Sequence, residues 1–162
     1  MADHLDEIVA QWRRERPDLN MSSLGIMGRL FRSAELADAV LGERLAENAL
    51  QSGWFDVLAA LRRAGSPYEL NPSELGSAMM LSSGGVTKRI DRLTAAGLVA
   101  RRPDPGDRRG TLVRLTRRGK NLIDRAITSH VTNEDELLRS LSPTERRSLD
   151  ALLRKLLAGL ES

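Results

Sequence analysis

The sequence predicts a mainly α-helical chain with one small β-hairpin, and three observations carry that prediction. Apolar residues recur at helical spacing through most of the 162 residues. Helix start and stop signals fall at the ends of those periodic stretches. One segment, "ARRPDPGDRRGTLVRLT" from Ala100 to Thr116, breaks the helical pattern into two short extended runs around a stiff tip.

Taken in order, Leu5, Ile8, Val9 and Trp12 fall on one helical face, and Pro17 ends that helix. A second helical pattern runs from about Ser23 to Glu47, with Leu24, Met27, Leu30, Phe31, Ala34, Leu41 and Leu45 apolar. A third covers "SGWFDVLAALRRAG" and closes at Gly65. "NPSELGSAMM" then opens with Asn71 as N-cap, Pro72 at the first helical position and Glu74 three residues past the cap. After a short break, "LSSGGVTKRIDRLTAAGL" is expected to begin a helix near Ser82 or Ser83 and to stop at Gly97. If it does, Gly84 and Gly85 fall in its first turn; the alternative is a helix that starts after Gly85.

Strands are expected near 98–102 and 111–115, followed by a long helix capped by Thr116 and bearing Leu122, Ile123, Ala126, Ile127 and Val131. Ser142, Pro143 and Glu145 repeat the capping pattern before a last helix, whose Leu149, Leu152, Leu153, Leu156, Leu157 and Leu160 form a stripe. That stripe suits either a partner-facing surface or an intramolecular core. Two short helices joined by a tight turn, then a hairpin, give a winged helix-turn-helix.

The charge distribution points to what such a fold would meet. From Gly84 to Lys120 there are eleven Lys and Arg against three Asp, whereas the rest of the chain carries 14 basic and 19 acidic residues. A phosphate backbone rewards local charge more than net charge, so this segregation is the footprint of a nucleic-acid-binding face. Ser82, Ser83, Thr87, Lys88 and Arg92 are the short polar and basic residues that the second helix of the pair would offer to the major groove. Arg108 and Arg109 sit at the hairpin tip, where a guanidinium suits the narrow minor groove of A·T-rich DNA. Asp107 belongs to the same tip and is expected to serve as an intramolecular partner that orients an arginine. Arg114, Arg117, Arg118 and Lys120 are candidate phosphate contacts, or an ordinary solvated face.

Other chemistries find little support. The absence of cysteine rules out disulfides, thiolate metal sites and thiol redox sensing. The only histidines, His4 and His130, have neither paired carboxylates nor a glycine-rich phosphate loop beside them, so no enzyme and no cofactor is expected. The N-terminal residues lack the apolar core of a signal peptide, and no run approaches a membrane span, which gives a cytoplasmic expectation.

About a third of the chain, "NPSELGSAMMLSSGGVTKRIDRLTAAGLVARRPDPGDRRGTLVRLTRRGKNLI", resembles the winged helix of the MarR family of bacterial regulators. The resemblance implies a single MarR-like domain over 1–162, with N-terminal ligand and dimer helices in 1–50, the winged helix-turn-helix in 51–116, and C-terminal dimerisation helices in 117–162. It further implies a homodimer that binds a pseudopalindromic operator on double-stranded DNA and acts as a repressor released by a small ligand. A narrower resemblance is to the urate-responsive, PecS-like branch, carried by Trp12, by Asp56 in "GWFDVLAAL", by Arg89 in "VTKRIDRL" and by Arg101 in "LVARRPDP". In that branch the tryptophan and arginines form a site for an anionic planar or polycarboxylate effector such as urate, and the aspartate pairs with an arginine or senses the ligand. Bidentate guanidinium contacts suit such oxygens, and an indole supplies a stacking wall. Two alternatives stand beside this reading: an architectural winged helix without sequence preference, and a regulator of the same type answering to a different aromatic or polycarboxylate ligand.

Overall fold

The computed structural model describes residues 3–79 and 85–162, which form seven helices and a three-stranded antiparallel sheet. The chain divides into two compact units, residues 1–42 and 43–162, with the boundary inside the second helix.

In the first unit, α1 (His4–Glu15) runs antiparallel to the start of α2 (Ser22–Glu47). Two glycines on α2 allow the approach: a Cβ on Gly28 would stand 3.0 Å from Leu5, and one on Gly25 would stand 3.6 Å from Val9. Asp3 caps α1 and, with Asp6, receives the Arg29 guanidinium from α2. That guanidinium holds both carboxyls below the usual aspartate range, aided at Asp6 first of all by the Asp3 backbone N–H. Several apolar side chains of this unit stay in the open, among them Leu24, Ile26 and Phe31.

The second unit is built around α3 (Ser52–Arg63). Its Val57, Leu58, Ala60 and Leu61 are almost fully enclosed, and it packs on α4 (Pro72–Ala78), α5 (Val86–Ala95) and α6 (Arg117–Leu137). Gly65 ends the α3 segment at φ +80° and Gly97 ends the α5 segment at φ +69°, backbone that residues with a Cβ adopt reluctantly. Asn71 and Glu74 form the expected capping box on α4, with Pro72 in its first turn.

On α5 the side chains of Val86, Ile90 and Leu93 are buried in the core, while Thr87, Lys88, Asp91 and Arg92 are exposed. Within the described residues the α-helix runs from Val86, with Gly85 at the N-cap position. The earlier start at Ser82 or Ser83 lies outside the described residues, as do those two serines and Gly84.

The wing consists of β2 (Val99–Pro103) and β3 (Thr111–Leu115), paired from Val99↔Leu115 to Pro103↔Thr111. The first strand is displaced by one residue from the expected 98–102. A further strand, β1 (Glu69–Leu70), pairs with the other edge of β3 and makes the sheet order β1-β3-β2. Two residues are too short to show a period of two, so this strand has no signature in the sequence.

Thr116 caps α6, accepting from the Gly119 N–H at 3.0 Å. Its first turn lies directly on the α5–β2 connection: a Cβ on Gly119 would overlap the Leu98 carbonyl. Finally α7 (Pro143–Leu160) starts with the expected Ser142–Glu145 capping box and is tied to α6 by Arg146, which reaches Asp135 at 3.1 Å. None of its residues is buried, and Leu152 and Leu160 are 65% and 72% exposed. The leucine stripe is therefore not the core of a single chain.

In an open helix, Gly→Ala stabilises by roughly 1 kcal/mol. At Gly119 the sign should reverse: the new methyl meets backbone that cannot rotate away, and Gly119→Ala should destabilise by about 2 kcal/mol or more. Urea unfolding at neutral pH checks this; a variant as stable as the parent contradicts the packing described.

Candidate nucleic-acid interface and effector site

Two elements present charge to solvent on the second unit, and each is rigid for a local reason. The α5 helix is pinned by its three buried apolar residues, which leaves Thr87, Lys88 and Arg92 outward. The wing is a ladder of five paired residues, roughly 16 Å long at about 3.3 Å per residue.

The wing tip is closed by its own hydrogen bonds. The Asp104 N–H donates to the Gly110 carbonyl at 3.0 Å, and the Gly110 N–H donates to the Asp107 carbonyl at 2.8 Å. The Asp104 and Asp107 carboxylates accept from the Gly106 and Arg109 backbone N–H groups, at 2.8 and 2.9 Å. Asp107 thus engages the backbone of an arginine and shapes the turn. The side chains of Arg108 and Arg109 are exposed and make no ion pair among the described residues.

Behind the tip the charges are partnered. Arg102 on β2 reaches across β3 to Glu69 on β1, with Nε donating to Oε2 at 2.9 Å and Nη2 donating to Oε1. Arg101 on the same strand donates to Asp91 of α5 at 2.6 Å, so the wing and that helix are joined directly. Lys120, a candidate phosphate contact, is held by Asp124 at 2.8 Å and lies over the Tyr68 ring. Arg62 shares the Asp124 carboxylate, and Lys120 first and Arg62 second keep that carboxyl below the usual aspartate range. Arg118 donates to the Ala96 carbonyl at 3.3 Å, while Arg114 and Arg117 are exposed.

The four residues expected to hold an effector divide between the units. Trp12 belongs to the first, 47% exposed on α1. Asp56, Arg89 and Arg101 belong to the second. Arg89 Nη1 lies 4.0 Å from Asp56 Oδ2, and its guanidinium lies over the first turn of α3, where a Cβ on Gly53 would stand 2.7 Å from Nε. Arg101 is engaged by Asp91 rather than by that pair. Sequence reasoning missed Asp91, Gly53 and Glu69; each acts through a partner more than nine positions away, which no local pattern records. Among the described residues no group of His, Asp and Glu is placed to hold a metal ion, and no helix is long and apolar enough to cross a membrane.

A short helix, a second helix with a polar outer face and a basic two-stranded wing define a winged helix-turn-helix protein. Comparison with known proteins narrows the class. The MarR family profile matches residues 50–110. The HTH-type transcriptional regulator PecS of Dickeya dadantii strain 3937 is 41% identical over 155 residues, 94% of this chain and 93% of PecS. Among solved structures, a mutant MarR from Escherichia coli complexed with operator DNA superposes with a TM-score of 0.75 at 30% identity, covering 85% of this chain and 97% of that one. BpsR of Bordetella bronchiseptica, solved to explain regulation of its DNA binding by 6-hydroxynicotinic acid, gives a TM-score of 0.72 at 29% identity over 81% of this chain and 97% of BpsR. The chain belongs to the MarR family. It is a DNA-binding transcriptional regulator and not an enzyme.

The Glu69 carboxyl is held below its ordinary value chiefly by its hydrogen bonds with Arg102. A depressed folded value means the pair's contribution is fully present above about pH 4.5, the ordinary value, and is lost as the pH falls through the lower folded one. Glu69→Gln should therefore lower the thermal midpoint at neutral pH and show a smaller further drop between about pH 5 and pH 3 than the parent does. Equal acid sensitivity in both proteins contradicts the pairing.

Proposed function

We propose that this protein is a homodimeric repressor that binds a pseudopalindromic operator and is released by a small organic anion of the urate type. The observation that carries the reading is the pair of exposed, unpartnered guanidiniums at the end of a rigid basic wing, beside a helix whose outer face is Thr87, Lys88 and Arg92. In this reading α5 lies in the major groove, Ser82 and Ser83 are further candidates for base contact, and Arg108 and Arg109 enter the adjacent minor groove. Asp107 contributes by shaping the tip. Arg114 and Arg117 meet flanking phosphates.

The homodimer is supported by the apolar faces that one chain leaves open. Six leucines on α7 are at least 37% exposed, an area a lone soluble chain rarely presents. The terminal helices, residues 1–50 and 117–162, are the dimer lobes, and a two-fold partner would place two reading heads on two half-sites.

Effector response is supported by the ion pairs around α5. Arg89 lies on that helix facing Asp56, and Arg101 ties the wing to it through Asp91. An anion taken up by Arg89 and Arg101 competes with Asp56 and Asp91, so its binding energy differs between helix positions, which is the condition for a shift in population. The regulation of BpsR by 6-hydroxynicotinic acid is a precedent for a planar anion in a related protein.

The test is a mobility-shift titration on the DNA upstream of the protein's own coding region, with and without urate, at one salt concentration. Specific binding abolished by urate is the expected result. Binding indifferent to urate contradicts the urate-type effector and directs the search to other aromatic or polycarboxylate anions, and equal affinity for random DNA contradicts the repressor. Arg109→Ala should weaken binding by about 1 kcal/mol or more and lower the salt slope by about 1, with folding intact; unchanged affinity refutes the wing assignment. Arg89→Ala should abolish the response to urate while the dimer persists by sedimentation, and a normal response refutes its role.

A further inference from the structure

The wing is braced on both faces of its sheet. Side chains alternate along β2, so Arg101 and Arg102 leave it on opposite sides. Arg101 meets Asp91 of α5 on one side, and Arg102 meets Glu69 of β1 on the other. Glu69 is in register with Arg114, and Arg114 with Ala100, so the Glu69–Arg102 bridge runs diagonally, two residues outward along β2. It grips the wing one pair short of the last, Pro103↔Thr111.

That brace is only as firm as β1, and β1 is two residues long with two pairings to β3. A ladder so short does not hold itself in place. Its anchor is Tyr68, the only tyrosine in the chain. The Tyr68 carbonyl accepts from the Leu115 N–H at 3.1 Å, which carries the pairing with β3 one residue past the strand. Tyr68 also has φ +63°, backbone that a residue with a Cβ adopts reluctantly and that persists where its surroundings hold it. The surroundings here are two helices. The Arg62 guanidinium of α3 lies 5.0 Å from the ring centroid and the Lys120 Nζ of α6 lies 5.6 Å from it, both within reach of the ring quadrupole. Asp124 keeps both cations there, one carboxylate oxygen accepting from Arg62 Nε at 2.6 Å and the other from Lys120 Nζ at 2.8 Å.

We propose that Tyr68 is a positioning residue for the wing: its ring, held by Arg62 and Lys120 on Asp124, fixes β1, and Glu69 and Arg102 pass that fixed point to the outer half of the wing. The consequence for DNA rests on the reading that Arg108 and Arg109 enter the minor groove. The positioning itself does not.

The test uses three variants of the full-length protein. Tyr68→Leu keeps apolar bulk and removes the aromatic face, Tyr68→Phe keeps that face, and Asp124→Asn releases the cations from an intact ring. Residual dipolar couplings of the wing amides, taken against those of α3 and α5 without DNA, read the direction of the wing. Tyr68→Leu and Asp124→Asn should each reorient it while α3 and α5 keep their mutual orientation, and Tyr68→Phe should match the parent. A wing unmoved by Tyr68→Leu or Asp124→Asn, or moved as far by Tyr68→Phe as by Tyr68→Leu, overturns the proposal. On the upstream duplex Tyr68→Leu should lower affinity about fivefold or more, and the loss should vanish when Arg108→Ala and Arg109→Ala are also present. A loss of equal size with and without the tip arginines overturns the proposal, because Tyr68 would then act elsewhere than through the wing. So does full affinity in Tyr68→Leu where loss of the tip arginines weakens binding. Should Tyr68→Leu fail to fold, Asp124→Asn carries the same comparisons. If the tip arginines prove dispensable for binding, the minor-groove reading fails and the couplings still decide the positioning.

Discussion

The carbonyl of Leu98 is the point on which the second unit is organised. It accepts from both the backbone N–H and the hydroxyl of Thr116, each at 3.1 Å, while the Leu98 N–H closes the end of α5 on the Leu93 carbonyl at 3.0 Å. One peptide thus joins the end of the recognition helix, the start of the wing and the cap of α6. The arrangement requires Gly97 with a positive φ to leave α5 and Gly119 without a Cβ to let α6 approach. Val99, Val113 and Leu115 bury the inner face of the wing against the same core. Helix and wing are consequently held to each other at the junction, so a misplacement there is carried along the wing to its tip.

Charge is distributed to match. Around the junction the ions are matched: Glu69 with Arg102, Asp91 with Arg101, and Asp124 with both Arg62 and Lys120. Among the described residues, Arg108 and Arg109 at the wing tip and Lys88 and Arg92 on the outer face of α5 are left without an ion pair. The Arg101–Asp91 pair is exposed and contributes little to stability, so its value is positional. The Arg101–Asp91 contact in particular couples wing and helix through a bond that a competing anion can exchange.

Much of this was legible in the sequence because it is written locally. Capping boxes at Asn71 and Ser142, the cap at Thr116, and the terminating glycines Gly65 and Gly97 each depend on residues within four positions. The amphipathic face of Val86, Ile90 and Leu93 and the basic hairpin are also local patterns. What the sequence did not disclose depends on distance along the chain. Strand β1 exists only because β3 offers it an edge, and Glu69 meets a partner 33 positions away. Gly119 looks like an ordinary weakness in a helix until Leu98 is placed against it. Arg101 carries no sign in the sequence that its partner is Asp91. The role of the leucine stripe on α7 was undecided from periodicity alone; its exposure in the single chain argues for a partner.

The proposed repressor reads a sequence and is not merely attracted to phosphates. The most direct measurement is the salt dependence of affinity for the upstream duplex and for a random duplex of equal length, taken over the same concentrations. Both must weaken as salt rises, because counterions are released in each case. The upstream duplex should stay about a thousandfold tighter or more across the range; two superimposable lines would contradict sequence reading.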